Sequence, residues 1–262
     1  MDAAIPRSPL LACQGATQGG RSPLGPITGA IEPGERLLIV GAQAPEILRW
    51  WVRLSEPTAG DVLVQGQRVQ TLDPVALRRR VAWVAPRSTL LAPTVAATLA
   101  YPLALLGQDS RAIEAAIQET CDRFGIPASW LTRQAFQLTA AEQHWVAIAR
   151  ASLLQPLVLL LGDGFEGLTK EQSDRLQNLL QNQAFSSQTA AVVCTATTIT
   201  GLRAAPIATR CWVLTQGQLT TDRPASEMDW AALEKQFPSV NQAGLDSGMN
   251  SGTDSDPEAD WF

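Results

Sequence analysis

Histidine is almost missing from this chain of 262 residues. His144 is the only one, and the four cysteines, Cys13, Cys121, Cys194 and Cys211, are far apart with no C-x-x-C pair. Neither a zinc site nor a disulfide framework finds its ligand spacing here, so the cysteines read as small, reduced core residues. An excess of positive charge is missing too. The net charge is −5 and the sequence pI about 5.0. That leaves no basic footprint for nucleic acid or for an anionic membrane surface. No apolar run approaches the roughly 18 residues of a membrane span, and no secretory pattern is seen. The expectation is a soluble, cytoplasmic polypeptide that reaches a membrane only through a partner.

What is present is apolar material, 45% of the residues, enough for one large α/β domain with a subdomain. Residues 1–30, rich in Gly, Pro and Ala, suit short strands and turns. The turn Glu32-Pro33-Gly34-Glu35 leads into a buried strand over 36–40 (RLLIV) that ends at Gly41. A helix is predicted over 46–54, then a hairpin pairing 62–64 with 68–69 across Gln65-Gly66-Gln67. Segment 73–80 (DPVALRRR) has an Asp N-cap, Pro at the first helical position and a basic end that suits the helix dipole. Residues 81–84 form another strand, and 94–137 are mostly helical. The helix over 110–124 starts on a Ser cap and carries Ile113, Ile117, Cys121 and Phe124 at helical spacing.

Further strands are predicted over 157–161, 190–195 and 211–215, and a polar helix over 170–183. An amphipathic helix over 226–237 places Trp230, Leu233 and Phe237 on one face. Strands alternating with helices argue for a parallel-rich sheet. The α/β domain is assigned to 1–240, with a helical subdomain inserted at about 94–155. Residues 241–262, rich in Gly, Ser, Asp and Asn, read as a disordered acidic tail that closes on Trp261-Phe262.

Residues 138–150 (LTAAEQHWVAIAR), then 156–161 (PLVLLL) and 162–169 (GDGFEGLT), resemble the signature helix, Walker B strand and D-loop of ABC-transporter ATPases in order and spacing. Segments 32–41, 56–66, 72–83 and 207–219 are similar to four further stretches of that family, so the resemblance covers roughly residues 8–222. With YPLALLG at 101–107, the layout looks like the small importer-type ATPases. The resemblance implies a P-loop NTPase-like ABC ATPase fold. Its parts would be a parallel-rich core sheet, a small antiparallel β subdomain and an inserted helical subdomain.

In that family a Walker A loop, G-x-x-x-x-G-K-[ST], cradles phosphates with backbone N–H groups, neutralises them with Lys and binds Mg²⁺ through Ser/Thr. The matching residues here run from Gly41 through Ala44, Pro45, Glu46, Ile47 and Leu48. Only the first glycine is kept. Glu46 brings a carboxylate into the phosphate path, Pro45 removes an N–H, and Ile47 and Leu48 stand at the Lys and Ser/Thr positions. Arg49 is cationic but one position late. By the same resemblance Pro86 stands at the Q-loop Gln, Gly162 at the Walker B Asp, Asp163 at the catalytic Glu, Thr169 at the D-loop Asp and Ala196 at the switch His. A one-residue shift would make Asp163 the Walker B Asp instead; Gly167-Leu168, matching the family's G-L, argues against it. No aromatic residue lies in 8–30 to stack an adenine.

The signature-like Leu138, Thr139, Ala140, Ala141 and Glu142 keep a hydroxyl and a helix N-terminus, which favours anions, but two alanines replace glycines. Thr139-x-x-Glu142 is equally a capping box. His144 on this helix is expected to face solvent or a partner.

Three functions stay open. The first is a pseudo-ATPase subunit acting through partners, an intact ABC ATPase and a membrane permease. It has no catalytic residue, no metal site and no bound cofactor. The second is an atypical active subunit using ATP and Mg²⁺. The third is a soluble regulator on the same fold. In the first two the chain sits in the cytoplasm, peripheral to the inner membrane through a permease.

Overall fold

Central strands buried on both faces, with successive side chains entering two different cores, set the architecture. The computed structural model describes residues 8–236, except 21, 87, 89, 91, 183, 184, 186 and 187. The expected acidic tail and Phe237 lie outside the described residues. In chain order the elements are β1 (Leu11–Gln18), β2 (Leu24–Ile31), β3 (Arg36–Val40), α1 (Ala44–Trp51), β4 (Ala59–Val64), β5 (Gln67–Arg68), α2 (Pro74–Arg80), β6 (Val81–Val84), α3 (Val95–Leu105), α4 (Ser110–Phe124), α5 (Ala140–Leu153), β7 (Val158–Leu161), α6 (Lys170–Gln181), β8 (Ala191–Ala196), β9 (Arg210–Thr215), β10 (Gln218–Pro224) and α7 (Trp230–Glu234). Short 3-10 turns join several of them.

The central sheet runs β10-β9-β3-β8-β7-β6 and is parallel except where β10 pairs with β9. Strands buried on both faces read as continuous apolar runs, and β3 (RLLIV) and β7 (VLLL) do so. Alternate side chains then go to different cores. Leu38, Val40, Leu159, Leu161 and Cys194 face the layer that holds α5, with α4 and α6 around it. Leu37, Ile39, Val158, Leu160 and Val193 face α1 and a second, antiparallel sheet of order β2-β1-β4-β5.

Helix α1 is the keystone between the two sheets. Ile47, Leu48, Trp50 and Trp51 are fully buried, and the Trp51 ring lies 6.4 Å from that of Trp212 on β9. The indole N–H groups find acceptors at this depth: Trp50 Nε1 donates to Gln18 Oε1 at 3.1 Å, and Trp51 Nε1 donates to the Ala12 carbonyl at 3.4 Å. Each buried indole removes about 150–250 Å² from water, so this helix is anchored by packing.

Several boundaries differ from the sequence expectation. Helix α1 starts at Ala44, two residues early, because Pro45 has φ pre-set for a first turn, and it ends at Trp51. The cap of α4 is Asp109, whose carboxylate accepts from the Ala112 N–H at 3.0 Å; Ser110 is already helical. Asp73 caps α2 as expected, accepting from the N–H groups of Val75 and Ala76. The amphipathic helix expected over 226–237 shrinks to α7, capped by Asp229, with Leu233 as its buried anchor. All four cysteines are buried and free.

Candidate functional site

The C-terminal ends of adjacent parallel strands in an open α/β sheet are where such folds place ligand crevices. Here β3 ends at Gly41, β8 at Ala196, β7 at Gly162 and β6 before Pro86, so the sheet order brings four of the expected site positions side by side.

The first corner is the turn from β3 to α1. Gly41 has φ 139°, and a Cβ there would lie 2.7 Å from the Leu214 carbonyl oxygen, so this glycine is required by backbone and neighbour alike. The loop that follows is only three residues, because α1 claims Ala44 through Ile47. Its donors turn inward. The Gly41 N–H donates to the Ala196 carbonyl at 3.0 Å, Ala44 to Gly41 at 3.1 Å and Glu46 to Gln43 at 3.1 Å, while Pro45 has no N–H to give. Ile47 and Leu48 are each 0% exposed in the core shared with Trp50 and Trp51. Glu46 and Arg49 pair with each other at 3.5 Å on the half-exposed face. The first lysine of the whole chain is Lys170, far along the sequence.

The second corner joins Pro86 and Gly162. The Gly162 N–H donates to the Val84 carbonyl at 2.9 Å. A Cβ at Gly162 would lie 2.8 Å from Pro86 Cδ, 3.1 Å from its Cγ and 3.2 Å from the Val84 oxygen. The proline ring therefore fills the space that a side chain at position 162 would need.

Asp163 is buried, with φ 45°, a left-handed conformation that Asp tolerates better than most residues. Its carboxylate is taken up by the end of β8. Oδ1 accepts from the Thr197 N–H at 2.9 Å and from Thr195 Oγ1 at 3.3 Å, and Oδ2 accepts from Thr197 Oγ1 at 2.6 Å. The Asp163 N–H in turn donates to Thr195 Oγ1 at 2.8 Å, and Glu166 Oε2 accepts from Thr198 Oγ1 at 2.5 Å. This threonine clamp was not singled out from the sequence; the run CTATT at 194–198 was its only trace. Ala196 is 0% exposed, and a Cβ on Gly201 would lie 2.8 Å from its own, so this end of β8 is closely packed.

The signature-like segment lies on the start of α5. Leu138 is buried, and Thr139 and Ala140 are exposed. Thr139 and Glu142 form the full capping box: the Thr139 N–H donates to Glu142 Oε2 at 2.7 Å, and the Glu142 N–H to Thr139 Oγ1 at 3.2 Å. Thr169 plays the same part for α6 with Gln172. The helix packs on α3, α4 and β6, and Ala141 approaches Gly167 in the loop after β7.

His144 is a correction. It is 4% exposed, with Nε2 at 3.3 Å from the Gly164 carbonyl, and no partner for Nδ1 is found among the described residues. Burial pushes its pKa below the ordinary 6.5, outweighing the upward pull of that carbonyl and of Asp163. The residue faces inward because α5, with Trp145, Val146, Ala147, Ile148 and Ala149 all buried, is enclosed on more than one side.

Comparison with known proteins identifies the family and the fold. The family model described as ABC transporter matches residues 24–165, more than half of the chain. The chain is 31% identical over 170 residues to the methionine import ATP-binding protein MetN of Caulobacter vibrioides, covering 62% of this chain and 51% of that protein. It is 28% identical over 178 residues to the probable iron export ATP-binding protein FetA of Escherichia coli, covering 66% and 78%. The chain thus spans about half the length of the methionine-import relatives it matches. Among solved structures, cbiO1 from Clostridium perfringens, part of the ABC transporter complex cbiONQ, superposes with a TM-score of 0.72 at 17% identity, covering 87% of this chain and 93% of that one. The expected fold is thereby found in the solved ABC domains, and the chain belongs to the ABC transporter family.

Proposed function

We propose that this chain is an ABC subunit that keeps the fold and has lost the ATPase chemistry, and that it acts by binding proteins within a transport system. The observation that carries this reading is the burial of Ile47 and Leu48, each 0% exposed, at the positions given to the Walker A Lys and Ser/Thr. A Mg²⁺-nucleotide does not fit the residues around them. The loop is shortened to three residues, with inward-turned N–H groups at Gly41, Ala44 and Glu46. Pro86 fills the space beside Gly162, and Thr195 and Thr197 take up the Asp163 carboxylate. Each lost charge-assisted contact is worth roughly 1.5–3 kcal/mol, against about 8 kcal/mol for micromolar affinity.

The printed names of its relatives, ATP-binding proteins of import and export, support a place beside a membrane permease and an intact ATP-binding sister. The test is a thermal melt with millimolar Mg·ATP, together with identification of proteins that copurify with the chain. A nucleotide at 100 times its dissociation constant would add about 2.7 kcal/mol of stability. No shift and a copurifying permease or ABC chain are expected. A rise of several degrees on adding nucleotide would overturn the reading.

One observation favours a role in a mixed pair. The N-terminus of α5 is exposed at Thr139 and Ala140, and an intact sister chain supplying its own lysine opposite would meet only two added methyl groups, on Ala140 and Ala141. Nucleotide-dependent association is then expected with a different, intact ABC chain and not between copies of this one. Light scattering with and without ATP, on the chain alone and mixed with the sister, tests it. ATP-induced dimers of this chain alone would refute it.

A further inference from the structure

The His144 ring is enclosed between α5 and the loop 162–169 that joins β7 to α6, and only one of its two nitrogens is paired. Nε2 stands 3.3 Å from the Gly164 carbonyl, which makes it the protonated nitrogen of a neutral imidazole. Nδ1 is shielded and has no partner among the described residues. A neutral ring leaves one lone pair unmet there. A charged ring would carry a second N–H into the same place, where no acceptor waits. The charged groups nearby do not relieve this. Asp163, at the root of the loop, draws a proton toward the ring. Its oxygens, however, are spent on the Thr195 hydroxyl and on the N–H and hydroxyl of Thr197. Glu166 in the same loop is taken by Thr198, and Glu142 on α5 by the capping box. Helix α3 and strand β6, which pack on α5, have no charged residue. On α4, Arg111 and Glu114 are exposed, Glu119 pairs with Arg123, and Asp122 accepts from Gln118.

We propose that His144 is a proton-sensitive latch between the start of α5 and the loop after β7: the neutral ring holds the two together, and proton uptake parts them while both cores stay closed. The loop is the fixed side, since Phe165 and Leu168 are buried in the core. The start of α5 is the side that yields. Residues 139–143 are exposed or half-buried, and their capping box is made within the segment itself. Beyond His144 the helix is held by the buried run Trp145 to Ala149, and Trp145 Nε1 donates to the Phe124 carbonyl at 3.2 Å. Loss of the first turn therefore brings the imidazole to water without unpacking the rest of α5.

The direction follows from burial, which keeps the pKa of the closed ring below the ordinary 6.5. The open form binds the proton more tightly, so the contact is complete above about pH 6.5 and weakens as pH falls. The same first turn, with Thr139 and Ala140, is the surface given above to a mixed pair, so acid should weaken such a pair. The latch itself rests on the histidine and its enclosure, and stands whether or not the chain meets nucleotide or a sister chain.

The test follows the full, tag-free chain from about pH 7.5 to about pH 5 by two readouts. His144 is the only histidine, so the NMR signal of an isotope-labelled imidazole carbon belongs to it alone. Hydrogen exchange, corrected for the intrinsic pH dependence of amide chemistry, follows residues 139–144 beside β3 and α1. The ring is expected to titrate with a midpoint below 6.5, and exchange over 139–144 to rise several-fold across the same pH range, while β3 and α1 keep their protection. His144→Gln carries an N–H for the Gly164 carbonyl and no titrating group, so its exchange over 139–144 should stay flat. Should that variant fail to fold, the wild-type curves decide alone. A midpoint at the ordinary value, a rise shared equally by β3 and α1, flat exchange over 139–144 while the ring titrates, or the same rise in His144→Gln would each overturn the proposal.

Discussion

Placing a side chain at position 162 should be resisted by Pro86, and the resistance can be measured. A Cβ on Gly162 would stand 2.8 Å from Pro86 Cδ and 3.1 Å from its Cγ, and a proline ring is tied to the backbone and cannot swing aside. Overpacking of this kind costs about 1–3 kcal/mol. Gly162 is not in a left-handed conformation, so alanine there also lowers the entropy of the unfolded chain, offsetting about 0.4–1 kcal/mol. The net loss for Gly162→Ala is expected at about 1–2 kcal/mol, or about 2–4 °C per kcal/mol in a domain of this size. Pro86→Gly empties the space. In that background the same alanine should be neutral or nearly so, which gives a coupling energy of about 1–2 kcal/mol. Gly162→Asp should be worse than Gly162→Ala, because its carboxylate would be buried with no cation beside it. The assay is urea unfolding followed by fluorescence of the eight tryptophans, run as a double-mutant cycle. Equal losses in both backgrounds, or no loss in either, would refute the packing argument.

Ile47→Lys with Leu48→Ser should destabilise the chain by about 3 kcal/mol or more, through a buried ammonium and a cavity beside Trp51, and steady-state phosphate release should stay at background. Asp163→Ala should cost about 2–4 kcal/mol in chemical unfolding, since it strands the Thr197 N–H and two threonine hydroxyls, whereas Asp163→Asn, which keeps an acceptor and tolerates φ 45°, should cost distinctly less. His144 has a folded-state pKa below its ordinary 6.5, so the unfolded chain binds more protons between those two values. Its contribution to stability is complete above about pH 6.5, falls as pH drops toward the folded pKa and then levels, with a slope of at most about 1.4 kcal/mol per pH unit. The difference in urea midpoint between the wild type and His144→Leu, followed from pH 7.5 to 5, should show that slope; parallel curves would sink the idea.

The sequence by itself determined the order of elements and the family. The run RLLIV before Gly41, the Asp73-Pro74 start of α2 and the Thr139–Glu142 capping box are local signals, each written in a few adjacent residues, and each folds as its local chemistry requires. That Ile47, Leu48 and Gly162 stand where the resemblance places motif residues was legible as well, because a motif read along the chain needs no coordinates. The tertiary structure decided what surrounds these positions. That Pro86 packs on Gly162, that Thr195 and Thr197 hold Asp163, and that Ile47 enters a core with Trp51 depends on which strands lie side by side, and those strands are far apart in the chain. His144 was misjudged for the same reason. Periodicity along α5 marks one buried stripe, but only the packing of the loop after β7 encloses the face that carries this histidine.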